Sequence, residues 1–308
     1  MMLTNYRLVE LPRRQNLCSD ENKYENIGVV KMSVVANKSV MLKPIKDEEF
    51  AVFQDMIYEQ VGISMSEKKK SLVEGRLAKR LRHHGLQDYA AYINLIKSGN
   101  TIERQMVIDM LTTNETSFFR EQRHFDFLAS DVIPKSGHGT PYRIWSGASS
   151  SGEEAYSMAM LFADKYRSNQ WEIVGTDISQ QILAKARKAL YPMSATDKIP
   201  ADYLNRFCLK GVREQEGMFQ IDKKLTRKVA FNSLNLNGQW PSNMGMFDLI
   251  LLRNVMIYFD QKTKQVLVEK ILQHLRPGGY FMIGHSETLN GISSAVKMIR
   301  PSIYLKSK

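Results

Sequence analysis

The sequence predicts an α/β fold with a mostly parallel, doubly wound sheet, a small all-helical domain before it and a small antiparallel β excursion within it. Three observations carry that prediction. Tyr142 to Trp145 reads as a short strand that breaks into a loop of small residues, Gly147-Ala148-Ser149-Ser150-Ser151-Gly152, and restarts as a helix with Glu153 and Glu154 in its first turn. About thirty residues on, Trp171 to Asp177 reads as a second strand ending in an acid. The run Leu249 to Leu252 is apolar on both faces, as a central parallel strand should be, and stops abruptly at Arg253 and Asn254.

The elements follow in order. Residues 1 to about 43 are polar, mixed in charge and without sustained periodicity, which predicts a poorly ordered extension. A start at Met41 would give a compact protein beginning at the first helix. From residue 44 to about 104 the pattern is helical and basic, with no convincing strand, and predicts a separate helical domain. A linker around Ser98 to Thr113 then leads into an α/β domain spanning 105–308. After the second strand a helix is expected from Ser179 to Leu190. Gly211 and Gly217 mark turns of a β excursion between about Phe207 and Phe231. Past the central strand, an amphipathic helix (Lys262 to Leu275) places Val266, Ile271 and Leu275 among its apolar positions. Pro277-Gly278-Gly279 reads as a turn before a strand from Tyr280 to Ile283.

Composition excludes several classes. Hydrophobic residues make up 43% of the 308, and no apolar run approaches the roughly 20 residues needed to span a bilayer. No apolar signal-peptide segment opens the chain. Cys18 and Cys208 have no metal-like spacing, which fits a reducing cytoplasm, and no metal site is expected.

The small-residue loop bears on chemistry. Such residues let a ligand approach the backbone, here at Gly147, and N–H groups at a helix start bind polar ligand atoms. Paired glutamates at that point repel a pyrophosphate and favour a cation. The adenosine-bearing cofactor that is cationic and lacks phosphate is S-adenosylmethionine. A plain βα turn with acids suited to the helix dipole remains open from the loop alone. Asp177 adds a candidate acceptor for ribose hydroxyls, with helix N-cap as its structural alternative.

Four blocks in order carry a family resemblance: Thr113-Asn114-Glu115-Thr116-Ser117-Phe118-Phe119-Arg120-Glu121, the Ser-Gly-Glu-Glu loop, Arg253-Asn254-Val255-Met256-Ile257-Tyr258-Phe259, and Gly284-His285-Ser286-Glu287. The chain resembles the bacterial chemotaxis receptor methyltransferases from about Lys46 to Tyr304. The resemblance implies the S-adenosylmethionine methyltransferase type of fold and methylation of glutamates on chemoreceptors, with S-adenosylhomocysteine as product. It further implies that Asn114, Thr116 and Arg120 line the cofactor pocket and that Glu153 lies near the donor's charged or amino-acid end. Asp177 would take the ribose, Asn235 and Leu236 would flank the adenine, and Arg253 and Asn254 would close the pocket beneath the substrate entrance. Arg120 and Tyr258 are the candidates for orienting the substrate carboxylate; His285 is expected to be structural and Glu287 a weaker candidate for the rim. Where the family commonly has proline after the paired glutamates, this chain has Ala155. Some members use the β excursion to grip a receptor's C-terminal peptide.

The formal charge of +11 points to an acidic partner. Between Glu67 and His84, seven basic residues stand against two acidic ones. At about 100° per residue, Val73, Leu77 and Leu81 form an apolar stripe bordered by Lys69, Arg76 and Arg80. These three are the expected substrate-binding residues. Nucleic acid is the rival acidic partner, but no proline is adjacent to another, neither cysteine follows a proline, and no basic–aromatic platform stands out. The resemblance instead implies the cytoplasmic helical bundle of a methyl-accepting chemoreceptor, read by a cytoplasmic enzyme that neither binds nucleic acid nor inserts in a membrane and is expected to be a monomer. A non-enzymatic module that regulates a partner through cofactor occupancy is the alternative.

Overall fold

The computed structural model describes residues 41–135 and 141–307; the expected extension over residues 1 to 40 lies outside them. The helical unit comprises α1 (Asp47–Val61), α2 (Lys70–His83), α3 (Tyr89–Lys97) and α4 (Thr101–Leu111). Each boundary has a local cause. Gly62 ends α1 in the left-handed conformation, φ 76°. Asp88 caps α3 by accepting from the Ala91 N–H, and Asn100 caps α4 by accepting from the Glu103 N–H, each at 3.0 Å. α4 occupies the stretch expected to be a linker. Its Val107, Ile108 and Leu111 are buried with Phe50, Phe53, Val73, Leu77 and Tyr92 in one core, so the helical unit runs to Leu111 rather than to about 104.

The second unit alternates strands and helices. α5 (Gln122–Phe127) precedes β1 (Tyr142–Gly147), α6 (Glu153–Lys165), β2 (Trp171–Asp177), α7 (Gln180–Lys188) and β3 (Leu190–Pro192). Then come α8 (Ala201–Phe207), β4 (Cys208–Lys210), β5 (Met218–Ile221), α9 (Lys223–Thr226), β6 (Val229–Ser233) and β7 (Phe247–Leu252). α10 (Gln261–His274), β8 (Leu275–Ile283), β9 (Val296–Arg300) and β10 (Ile303–Lys306) complete it. The main sheet has the order β6-β2-β1-β7-β8-β10-β9. It is parallel from β6 to β8, and β10 and β9 add antiparallel.

β7 is central and buried on both sides. Leu249 and Leu251 enter the core on one face, while Phe247, Ile250 and Leu252 enter the core on the other. The turn at Pro277-Gly278-Gly279 becomes a bulge inside β8, where pairing jumps from Phe247↔Leu275 to Leu249↔Tyr280. α10 buries Leu267, Val268, Ile271 and Leu272, leaving Val266 exposed. The small antiparallel sheet is ordered β3-β5-β4, so the excursion opens at Leu190, earlier than expected, and β6 with Phe231 belongs to the main sheet. β3 is three residues long, too short to show a period.

The basic helix differs from its expected role at two positions. The Arg76 guanidinium donates to the carbonyls of Met110, Leu111 and Thr112 at 3.1 to 3.3 Å, satisfying the last turn of α4. Arg80 donates two hydrogen bonds, each 2.7 Å, to the Glu103 carboxylate, which is only 2% exposed. Neither arginine is a free surface charge. Both border the apolar stripe, and that border is the interface with α4, whose acid lies too far along the chain for a helical projection to reveal. The face left open carries Leu72, Gly75, Lys79, Arg82 and His83, with Lys68 exposed in the turn just before the helix.

Glu103 also accepts from the Tyr92 hydroxyl at 2.7 Å and has the His84 Nε2 2.9 Å away. Burial alone would raise its carboxyl, but bonds from Arg80, Tyr92 and His84 outweigh that and hold it at about 2. Its contribution to stability is therefore complete above the ordinary carboxyl range and lost as pH falls from about 4.5 towards 2. Glu103→Gln should lower stability at neutral pH by about 3 kcal/mol, because Arg80 is left buried without its partner. Denaturant titrations at pH 7 and through that acid range check both the loss and the flattened pH dependence of the variant.

Candidate cofactor and substrate site

The carboxyl ends of β1, β2 and β7 face one cavity, closed on its far side by the segment joining α1 to α2. Val61, Ile63, Met65 and Lys69 reach it from the helical unit, and Asn114, Thr116 and Arg120 from the segment before α5. Ala148, Ser149 and Ser150 form the loop after β1, with Asp177 and Ile178 after β2, Leu234 to Leu236 after β6, and Arg253, Asn254 and Tyr258 after β7. Hydrogen bonds tie the two units together here. Asn235 Nδ2 donates to the Gln60 carbonyl at 2.5 Å, the Tyr58 hydroxyl to Asp260 at 2.6 Å, and the Ser64 N–H to the Tyr258 carbonyl at 2.9 Å.

The loop after β1 is shaped for close approach. Ala148, Ser150 and Gly152 all have positive φ, and the tight turn is held by its own N–H groups, Ser149 donating to the Thr176 carbonyl and Gly152 to the Ser149 carbonyl. Gly175 on β2 admits Phe231 behind the loop, since a Cβ there would meet that ring at 2.6 Å. Asp177 is buried, and its carboxylate accepts from the Ser150 and Ser179 N–H groups at 2.9 Å each. Burial nevertheless raises its carboxyl above the usual range, against the pull of those backbone donors. Ser179, not Asp177, is the side chain capping α7.

Arg253 is the charge at the centre. Its Nε and Nη2 donate to Glu121 Oε2 at 3.2 and 3.0 Å, its Nη1 to Glu154 Oε2 at 2.9 Å, and its Nη2 also to the Arg120 carbonyl. Asn254 has φ 59° and donates from Nδ2 to Glu121 Oε1 at 3.3 Å. Burial raises the Glu121 carboxyl, but Arg253 above all, with the His285 N–H and Asn254, brings it below the usual carboxylate range. Glu287 Oε2 accepts from the N–H groups of Asn254 and Gly284 at 2.9 and 2.6 Å, binding the ends of β7 and β8 together. Gly284 is required there, because a Cβ would lie 2.9 Å from the Asn254 nitrogen.

Of the residues expected at the cofactor, Asn114, Thr116, Arg120, Asp177, Asn235, Leu236, Arg253 and Asn254 meet at this cavity. Gly147 and Glu153 do not line it. Gly147 lies beneath the loop, where a Cβ would meet Leu252 at 3.1 Å. Glu153 turns aside to accept from the Ser151 hydroxyl, and Glu154 is the glutamate that faces inward. One residue along a helix is about 100° of rotation, and a Glu-Glu pair does not say which member faces in. The Asn235 side chain is engaged at both ends, donating to Gln60 and accepting from the Asn237 N–H. Sequence reasoning missed Glu121 and Glu154 as the carboxylates around Arg253, although both sit beside residues it named.

The expected substrate residues separate. Lys69 stands at the cavity with its Nζ 5.0 Å from the Tyr258 ring centroid, while Arg76 and Arg80 are spent within the helical unit. Arg120 lines the cavity and donates to the Glu115 carbonyl at 2.8 Å.

An S-adenosylmethionine-sized ligand fits this donor set. The Ser149 hydroxyl is buried without a hydrogen-bond partner, Asp177 and Glu154 supply negative charge, and Ile178, Leu234 and Leu236 supply an apolar slot. Comparison with known proteins agrees. Residues 114–305 match the family model described as CheR methyltransferase, SAM binding domain, and residues 48–112 match CheR methyltransferase, all-alpha domain. The chain is 36% identical to the chemotaxis protein methyltransferase of Escherichia coli over 86% of its own length and 92% of that protein. It is 36% identical to that of Borreliella burgdorferi over 90% and 100%, and 37% identical to chemotaxis protein methyltransferase 2 of Pseudomonas aeruginosa over 83% and 92%.

Glu121 touches Arg253 and Asn254 without lining the cavity itself. Glu121→Gln should weaken S-adenosylhomocysteine binding by about tenfold or more, the cost of one charged hydrogen-bonded pair. Calorimetric titration of the variant beside the parent chain checks it.

Proposed function

The chain belongs to the CheR methyltransferase family, the S-adenosylmethionine-dependent methyltransferases of chemotaxis, and we propose that it methylates glutamate side chains on the cytoplasmic helical bundle of a chemoreceptor. The observation that carries this reading is the meeting of Lys69, Arg120 and Tyr258 at one cavity with Asp177 and Arg253. When bound, S-adenosylmethionine supplies an electrophilic methyl group on a sulfonium, and S-adenosylhomocysteine is what remains.

The residues of the chain do the rest. A glutamate acceptor is already ionised at neutral pH, so no general base is required. Its carboxylate needs orientation and a dry environment. Lys69 and Arg120 draw a carboxylate to the mouth, and the Tyr258 hydroxyl offers one hydrogen bond. Arg253 is already shared between two carboxylates and cannot form a tight ion pair that would blunt an incoming nucleophile. Asp177 and the unpartnered Ser149 hydroxyl hold the adenosine end, and the apolar residues 234 and 236 flank the base. A cytoplasmic setting follows from this substrate; among the described residues no helix is long and apolar enough to cross a membrane.

The exposed face of α2 supplies the docking surface for an acidic bundle. Lys79 and Arg82 lie on it, Lys68 is exposed in the turn just before it, and Gly75 offers no side chain to hold a partner helix away. Lys79→Glu with Arg82→Glu should abolish transfer of tritiated methyl groups to receptor fragments as base-labile ester and leave calorimetric binding of S-adenosylhomocysteine unchanged. Loss of cofactor binding in that variant would sink the separation of the two surfaces. Tyr258→Phe should lower kcat about tenfold or more with cofactor affinity retained, as loss of one orienting hydrogen bond predicts.

A further inference from the structure

The fold assembles a cluster that sequence spacing did not announce. Glu121 and His124 stand at the start of α5 and His285 just past β8, and each offers a ligand atom within 4.8 Å of the other two. Glu121 Oε2 is 3.5 Å from His124 Nδ1 and 3.9 Å from His285 Nε2. Ligands 2.0–2.2 Å from a tetrahedral zinc keep separations of roughly 3.4 Å, so the Glu121–His124 pair is already in place and the exposed His285 needs only a small side-chain shift.

His124 is prepared as a ligand. It is 1% exposed, and its Nε2 lies 2.8 Å from the Ser302 hydroxyl oxygen. The Ser302 hydroxyl also lies 2.7 Å from the Pro301 carbonyl, so it can pass its own proton on while accepting from a ring N–H at Nε2. Nδ1 is buried without a hydrogen-bond partner and faces a carboxylate, and in that tautomer it presents its lone pair there. An imidazole fixed by a donor bond from its other nitrogen is the arrangement metal-binding histidines use. A surface cavity lined by both histidines, Asp126 and Asp131 gives access.

We propose that Glu121, His124 and His285 bind a divalent transition-metal ion of the zinc class, with water as the fourth ligand, and that its binding weakens the cofactor site. Arg253 shares Glu121 Oε2 and opposes a second cation there. Two carboxylates, Glu121 and Glu154, face that single guanidinium, however, so the cluster has negative charge to spare. A metal that draws Oε2 towards the histidines takes it from Arg253, and that competition couples the two sites. The coupling rests on the cofactor reading of the cavity; the metal site does not.

The test titrates zinc chloride into the full chain in chelator-free buffer, by calorimetry, with cobalt(II) absorption as a second readout. One zinc per chain should bind with micromolar affinity, and His285→Ala, a change at an exposed side chain, should weaken it about tenfold or more. Saturating zinc should raise the Kd for S-adenosylhomocysteine about fivefold or more in the parent chain and leave it unchanged in His285→Ala. Metal-free methyl transfer should be equal in both. Absent zinc binding, or binding undiminished in His285→Ala, overturns the site. Zinc binding lost in His285→Ala with cofactor affinity unmoved overturns the coupling alone. A zinc-free chain that binds no S-adenosylhomocysteine counts against the cofactor reading instead.

Discussion

The guanidinium of Arg253 is the joint on which the site depends. A single buried cation, 3% exposed along its side chain, bonds to Glu121 before α5, to Glu154 in the first turn of α6, and to the carbonyl of Arg120. With Arg253 itself, these partners bring together three stretches of chain far apart in sequence. A buried charge must be satisfied or it destabilises the fold, so its satisfaction fixes where those stretches meet. The site thus gains its shape from an electrostatic requirement more than from apolar packing. Glu287 then fastens the backbone of Asn254 to Gly284, keeping the ends of the two neighbouring strands β7 and β8 in register where the ligand crevice opens.

The helical unit completes what the sheet begins. Its own integrity rests on a second buried pair, Arg80 with Glu103, and on Arg76 closing the last turn of α4. Because α4 ends beside Thr112 and Asn114, the order of that helix is transmitted to the segment lining the cavity. Gln105 reinforces the link by donating to the Ile178 carbonyl at 3.1 Å. Charges that a helical projection assigns to a partner therefore hold the domain together, and that role is a precondition for the cavity to exist.

Much of the architecture was legible in residues. The small-residue loop, the acid ending β2 and the all-apolar β7 each reflect a local rule, and each placed a strand end at the crevice. What escaped notice was longer in range or finer in angle. Glu153 and Glu154 differ by one helical step, and only packing of α6 decides which faces Arg253. Arg76 and Arg80 read as surface charge because their partners lie on α4, some 23 to 36 residues on. α4 itself read as linker because its Asn100 cap and its apolar Val107, Ile108 and Leu111 follow a weakly amphipathic pattern. β3 was hidden by its brevity, and Glu121 by its neighbour Arg120, which drew attention as the cavity residue.

The position of Lys69 connects the two surfaces. It touches the Tyr258 ring at the cavity and stands one residue before α2, whose open face carries Lys79 and Arg82. Ten residues of helix span roughly 15 Å, so an acidic helix lying along that face has its bound charges within a few turns of the reacting position. The segment from Gly62 to Lys69 therefore has two neighbours: its Ile63, Met65 and Lys69 wall the cavity, and its end leads into α2, the surface proposed for docking. On the proposed docking, a substrate on α2 would bear on the same segment that walls the cavity. On that proposal docking and the cofactor cavity share one connection rather than being two independent sites, because the segment that walls the cavity continues directly into the helix whose open face carries the cations.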